Sequence, residues 1–567
     1  MKNKNYKPCF LLLGMLVFGI SQIYAQTLPV GSPLLDDYYR RQQLMGKLDS
    51  TISFSIRPLT QQAIGIENIF WPDSTSERFA GHDGGIYYTA NGEGMLQVLP
   101  VQWENQYTSA YPYSLNDGPM IPNVGFQTML SAGIFAKYKF LSIQFRPEFV
   151  SAANKSYVDF GPEHAPNSWR LWYSYANNID MPVRFGEGSY SKAFLGQSSI
   201  RLTFDPISFG VSTENLWWGP GMRNSLLMTN TAPGFLHATI NTTKPIRTPI
   251  GSFEGQIIGG KLKASGYPPR ALGNPAFSDI YYVPKPDDWR YISGMVLTYQ
   301  PKWLPGLSLG LTRSFIIYRG DMGNSFSDYF PLFQPTSKSS VGNVEEDGRK
   351  RDQYASLFGR WVMPAAKAEI YAEYGRNDHA YNLRDYIMQP DHTRASVLGF
   401  RKLVDLNRPS GAMLQVNAEF TKLDMPKASM LRAGETWYTH YQVRDGYTNL
   451  GQILGSGVGP GGTMQNLNVS WVRGLQQIGL QFERYVHNND LYYDISRDVR
   501  RNWIDFSGAL HADWNYKNLL FSARFQYMHS FNYEYALEEK EGAKNMWDFD
   551  HQDKNNVQFQ LGVSYRL

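Results

Sequence analysis

A single cysteine, Cys9, occurs in 567 residues. It sits in a leader that is read below as removable, so the rest of the chain has no thiol, no disulfide framework and no thiolate metal site. A lipoprotein reading of Cys9 fits poorly, because the apolar run follows the cysteine where it should precede it. Long hydrophobic runs are missing too. Beyond the leader no stretch of about 18 apolar residues occurs, which argues against any transmembrane helix. Charge is sparse and balanced: 54 Lys and Arg stand against 50 Asp and Glu, and only 18% of residues are charged. Nothing there points to nucleic acid or to a strongly anionic partner. The histidines show no metal-ligand spacing, and no Gly-x-Ser-x-Gly elbow occurs. No cofactor and no metal are expected.

Aromatic residues, by contrast, are plentiful. They make up 15% of the chain, with 37 Tyr and 14 Trp, while the mean hydropathy is −0.40. A helical membrane protein could not be so polar on average. A β-barrel can, since its lumen is polar and its aromatics gather at the membrane boundaries. A large secreted β-sandwich shares the composition, so patterning has to decide. The leader supports export: Lys2, Lys4 and Lys7 precede the apolar run from Phe10 to Ile20, and Ile23-Tyr24-Ala25 offers a small residue before a cut at Gln26. Residues 1–25 read as a secretory signal peptide. Losing its three lysines takes the formal net charge from +4 to +1.

At the chain end, Val557, Phe559, Leu561, Val563, Tyr565 and Leu567 alternate with Asn556, Gln558, Gln560, Gly562, Ser564 and Arg566. Neighbouring side chains on a strand point to opposite faces, so one face is apolar and the other polar. The same alternation runs through 141–149, 412–421 and 519–527. It begins again near 95, 128, 198, 206, 253, 291, 307, 353, 367, 395, 434, 464, 475 and 503. The fold class predicted is all-β: a transmembrane antiparallel β-barrel of about 18 strands over residues 91–567. Its place is the outer membrane of a Gram-negative cell, with both termini periplasmic. Short turns and long loops should alternate in such a barrel. That phase slips within about 214–290 and again within 444–463, so each stretch marks a strand missed or one invented, and about 16, 18 or 20 strands would restore it.

Residues 26–90 differ in character. Ser32-Pro33 is a helix start, and Leu34, Tyr38, Met45 and Leu48 follow at helical spacing. This predicts a short periplasmic helical segment that packs on or into the barrel's lower mouth. The polar strand faces carry Arg146, Glu148, Lys367, Glu369, Glu373, Glu419, Glu483, Arg524 and Arg566. Mixed signs favour paired charges across a filled lumen over an ion-selective pore. Gly457-Val458-Gly459-Pro460-Gly461-Gly462 matches the dinucleotide-binding string, but another alternating strand follows where a helix is required. It reads as a loop that turns sharply or approaches a partner closely.

Two longer segments carry a resemblance. The first is Glu214-Asn215-Leu216-Trp217-Trp218-Gly219-Pro220-Gly221, leading to Asn224-Ser225-Leu226-Leu227-Met228-Thr229-Asn230 and then Thr248 to Gln256. The second runs from Glu435-Thr436-Trp437-Tyr438-Thr439-His440 through Arg444-Asp445-Gly446 to Asn449 and the glycine loop. Pro112-Tyr113, Asn116-Asp117-Gly118, Gly133 to Glu148 and Asp391-His392 to Arg401-Lys402 add to them. Together they resemble the Wzi family of capsule-assembly proteins over about residues 95 to 490. Asp445 departs from the pattern, since relatives more often carry histidine there.

The resemblance implies an outer-membrane barrel with a periplasmic helical plug that acts as a lectin and not as an enzyme. It would hold capsular or other surface polysaccharide at the cell surface, as a monomer in outer-membrane lipid. Sugar rings stack on tryptophan and tyrosine, while amides and arginine hydrogen-bond hydroxyls and acidic groups. Candidate contacts are Trp169, Trp172 and Tyr173, with Tyr175, Asn177 and Asn178 beside them, and Trp217, Trp218 and Arg223 in the next long loop. Glu435, Trp437, Tyr438, His440 and Arg444 are read either as binding residues or as lumen supports. The alternative is an outer-membrane diffusion channel for small solutes. A barrel hydrolase built on His440 or His511 is a third reading, which no spacing supports.

Overall fold

Eighteen antiparallel strands close into one barrel. The computed structural model describes residues 26–66, 68–72, 85–161, 163–269, 275–333, 350–377, 382–432, 434–496 and 498–567, and the signal-peptide reading of residues 1–25 lies outside them. The first strands are β1 (Gly94–Thr108), β2 (Gly125–Tyr138), β3 (Leu141–Phe145, resuming as Glu148–Ala152) and β4 (Tyr190–Phe194, resuming as Ser199–Phe204). Next come β5 (Ile207–Ser212), β6 (His237–Thr242, resuming as Ile246–Thr248), β7 (Gly251–Leu262), β8 (Arg290–Pro301) and β9 (Leu307–Tyr318). Then follow β10 (Arg351–Met363), β11 (Ala368–Arg376), β12 (Arg394–Asp405), β13 (Met413–Lys422) and β14 (Thr463–Arg473). The last are β15 (Gln476–Val486), β16 (Ile504–Tyr516), β17 (Leu519–Phe531) and β18 (Lys554–Tyr565). Each strand pairs with the next, and β18 closes on β1 from Gln558↔Thr108 to Tyr565↔Val101.

The terminal strand has the predicted faces. Phe559, Leu561 and Tyr565 are exposed on the outside, while Asn556, Gln558 and Arg566 are buried inside. Closure leaves no unpaired edge, and the outward apolar residues meet lipid.

The barrel has the expected 18 strands, but they differ from the sequence reading at two places. β6 was missed because its outward residues, Ala238 and Ile240, are few, and Pro245 interrupts the run. The strand expected near 434 does not exist: residues 434–447 form turns, with Trp437, Tyr438, Val443 and Tyr447 buried in the lumen and Tyr441 exposed above it. With both corrections every even-numbered strand from β2 to β16 ends in a short turn and every odd-numbered one in a long connection. The short turns lie at the same end as both ends of the barrel sequence, which is the periplasmic end. Lys367 is also corrected. It stands in a left-handed turn position before β11, half-exposed, and pairs with Asp405.

The lumen is filled from both ends. Helix α1 (Pro33–Leu44) enters from below, with Pro33 at its first turn and Leu35, Tyr39 and Leu44 buried. Arg40 and Arg360 both pair with Glu369 of β11, and Arg401 of β12 pairs with Asp37. Leu35 and Tyr39 join Phe54, Phe70, Leu99, Leu475 and Leu520 in an apolar cluster across the lower mouth. From above, the connections after β5 and β13 fold inward. Their Leu226, Leu227, Tyr438 and Leu454 pack on Ile258, Ile292, Val296 and Phe358 of the wall. Among the helices of the outer connections are α2 (Pro166–Ala176), α3 (Leu383–Met388) and α4 (Asn489–Ile495).

Candidate functional site

The first long motif is a structural clasp inside the barrel. Trp217–Trp218 pairs antiparallel with Ile56–Arg57 of the N-terminal segment. Trp218 donates its indole N–H to Gln256 at 2.9 Å, and the Arg57 guanidinium lies 4.8 Å above the Trp217 ring. The chain then reverses. Gly219 has φ +127°, and a β-carbon there would collide with Ser225 Oγ, so the turn needs glycine. Two wall carboxylates receive the reversed segment. Glu419 of β13 accepts the amides of Met222, Arg223 and Asn224 at 2.8, 3.1 and 2.8 Å, and Glu373 of β11 accepts Leu226 N–H at 3.2 Å. Buried carboxylates are stable only with such donors. Glu214 is held by Arg201 at 2.7 Å.

The second motif seats on the first. Tyr438 donates its hydroxyl to Leu226 O at 2.8 Å, and Trp437 donates to Thr393 O at 2.9 Å. Asp445 accepts the Tyr318 hydroxyl at 2.5 Å and lies 3.8 Å from Arg290 Nε, so the departure from histidine here makes a wall anchor. Gly461, with φ +61°, lets the glycine loop pass close to α4, where Asn489 N–H donates to its carbonyl at 2.9 Å.

Above these lies a cap of outer connections. Arg444 joins three of them: its guanidinium donates to Asn177 O at 3.3 Å, to Pro284 O at 2.9 Å and to Val283 O. Asn177 in turn donates to Tyr281 O at 2.9 Å and accepts Val283 N–H at 3.0 Å. Lys285 reaches Ala176 O at 2.9 Å, and burial lowers its amine to about 8. Asp490 on α4 accepts Met425 N–H at 2.8 Å, while burial pushes its carboxyl up to about 7.

The expected sugar contacts are mostly inside these assemblies. Trp169, Trp172 and Tyr173 of α2 are buried against Phe160, Leu491, Tyr492 and Tyr535. Their rings meet edge-on, Phe160 to Trp169 at 5.0 Å and Trp172 to Tyr173 at 5.0 Å. Large aromatic surfaces bury themselves when a partner is in reach. Trp217, Trp218, Trp437 and Tyr438 are buried in the lumen, so none of these seven rings offers a free face. Arg223 pairs with Glu483 at 3.0 Å and borders an internal polar cavity of about 460 Å³. That cavity lies between α1, the inward loop and the wall, with Asn116, Gln415, Asn417, Gln477 and Gln481 among its lining. Glu435 and His440 stay near the surface, 3.9 Å apart. His440 Nδ1 accepts the amides of Gln442 and Val443, and its ring stacks on Tyr441 at 5.2 Å.

Two tyrosines absent from the sequence-derived set are exposed on the cap: Tyr441, at 51%, and Tyr493 on α4, at 59%. Sequence alone could not separate them from the buried tyrosines around them, since Tyr441 lies in a turn and Tyr493 on a helix of two turns, too short to show a periodic face.

Fold and site together define a membrane-spanning β-barrel with a packed lumen, closed outer cap and no helix long and apolar enough to cross a membrane among the described residues. The profile of the capsule assembly protein Wzi family matches residues 119–547, and the chain belongs to that family. Its location is the outer membrane. Among solved structures it is similar to Wzi of Escherichia coli, described as an outer membrane protein involved in group 1 capsule assembly and a carbohydrate-binding β-barrel. The identity is 12%, with 96% of this chain and 99% of that one covered at a TM-score of 0.56. Pseudomonas aeruginosa OccK7 (OpdD) and OprD follow at 10% and 9% identity. They cover 83% and 86% of this chain and 99% and 95% of their own, both at a TM-score of 0.37. No curated sequence matches the chain directly.

Proposed function

We propose that this protein binds surface polysaccharide at the outer face of the membrane and retains it there without turnover, as a monomer. The observation that carries the reading is the filled lumen. Two inward loops and α1 occupy the space a solute would need, which leaves the cap as the working face. In this reading the tryptophans of α2 and of the lumen position the cap, and Tyr441 and Tyr493 offer the ring faces on which sugars stack. His440 and Glu435 lie beside Tyr441 to meet hydroxyls. Membership in a capsule-assembly family supports the same substrate class.

The test is the partition of polysaccharide between cell and medium in a strain lacking the protein. Loss of the protein is expected to leave total polymer unchanged and to shift it into the medium, and a Tyr441→Ala, Tyr493→Ala double variant is expected to follow the deletion. An unchanged partition in the deletion strain would refute retention as the function. The polar cavity is the one feature that favours a diffusion channel, and steady large openings of the intact barrel in planar bilayers would support that reading.

A further inference from the structure

The outer edge of the lipid-facing wall carries an arginine pair, Arg376 and Arg394, for which the described residues supply no ion-pair partner. On β11 the inward residues Glu369, Tyr371 and Glu373 are buried, which puts Ile370, Ala372, Tyr374 and Arg376 on the outside. On β12 Ala395, Val397 and Arg401 face inward, and Leu398, Phe400 and Arg394 face out. From its periplasmic start to its outer end, the outward face of β11 therefore runs Ile370, Ala372, Tyr374 and Arg376, with the phenol and the guanidinium uppermost. That is the order of hydrocarbon, interface and headgroup.

Arg376 and Arg394 are directly opposite each other in the β11–β12 ladder. Like charges at such a position repel. Arg376 is only 8% exposed, and its Nε and both Nη atoms are buried without a hydrogen-bond partner. The nearby Asp385 is already engaged by Arg432 Nη1, at 2.9 and 3.0 Å from its two oxygens. A buried guanidinium without acceptors is unfavourable unless an anion compensates it.

The connection after β11 folds outward over this pair. Tyr374, on the lipid side, donates its hydroxyl to Pro390 O, and the Tyr386 ring of α3 lies 5.3 Å from the Arg376 guanidinium. Helix α3 thus hangs on the outside of the barrel and not over its mouth. Leu383, Ile387 and Met388 of α3 are exposed at 73%, 66% and 67%. Leu398 and Phe400 are exposed further down the same wall. Exposed apolar groups beside cations match an amphiphile with acyl chains and an anionic head.

We propose that Arg376 and Arg394 bind the phosphorylated headgroup of an outer-leaflet lipid whose acyl chains lie against α3 and the β11–β12 wall. The lipid site uses neither Tyr441 nor Tyr493 and does not rest on polysaccharide retention.

The test is native mass spectrometry of the full-length barrel in detergent, titrated with lipid A and with the same lipid after phosphatase treatment. The barrel is expected to bind the phosphorylated form. Each arginine near an anionic head is worth about a fivefold change in affinity, so R376Q/R394Q should bind about thirtyfold more weakly. The dephosphorylated lipid should bind the unaltered barrel as weakly, which decides the matter even where the double variant fails to fold. A variant L383S/I387S should lose binding while keeping both arginines. Equal binding of both lipid forms would overturn the proposal. So would displacement by inorganic phosphate or glucuronate, which would assign the pair to soluble anions.

Discussion

Arg444 spends its guanidinium on three carbonyls from two other connections, so its side chain holds the cap together more than any aromatic ring there. Arg444→Ala should cost about 2 kcal/mol, the usual loss for charged hydrogen bonds without replacement. The expected readout is faster proteolytic cutting after β3, β7 and β13, with the heat-modified gel mobility of the barrel unchanged. Arg444→Lys should recover only part of the resistance, because an ammonium cannot span the fork. Asp490 gives the cap a pH dependence. Its folded carboxyl titrates near 7, raised by burial against the 3.8 of a free aspartate. Between those values the folded form holds a proton that the opened form has lost, so stability falls as pH rises and the contribution is gone above about pH 7. Opening free energies of α4 from hydrogen exchange, corrected for intrinsic rates, should decline from about pH 5 to about pH 7, level off above that, and be flat throughout in Asp490→Asn.

At the scale of elements, the inward loops and α1 divide the sealing of the lumen. The loops own the upper apolar cluster, and α1 joins the lower one. Deleting residues 33–66 should therefore leave planar-bilayer conductance small, because the connections after β5 and β13 still fill the upper lumen. Removing 437–458 as well should produce steady large openings. Large openings from the first deletion would mean that α1 alone seals the barrel. The strands were legible wherever one face was apolar and the other polar, as in β13, β17 and β18. They failed where the lumen itself is apolar. Trp437, Tyr438 and Val443 meet the buried apolar faces of β8 to β12. A loop that packs there carries the residues of a strand without being one. β6 shows the converse, with too few outward apolar residues to register.

For the whole molecule, alternation together with the absence of thiols and long apolar runs determined the class: a barrel in lipid, with polar groups inside. That follows because a membrane leaves only closed sheets or helices for a chain whose backbone must satisfy itself. The motif residues were also legible as a set through their resemblance to one family, while Glu373 and Glu419 were legible only as charges on polar strand faces. Their roles were not. Periodicity specifies which face of an element a side chain takes, but a long connection has no period, so nothing in the sequence says whether it folds over the mouth, into the lumen or out onto the lipid. Tertiary structure decided that: the Trp217–Trp218 and Trp437–Tyr438 pairs went inward because apolar wall residues wait there, and α3 went outward onto Tyr374 and Arg376.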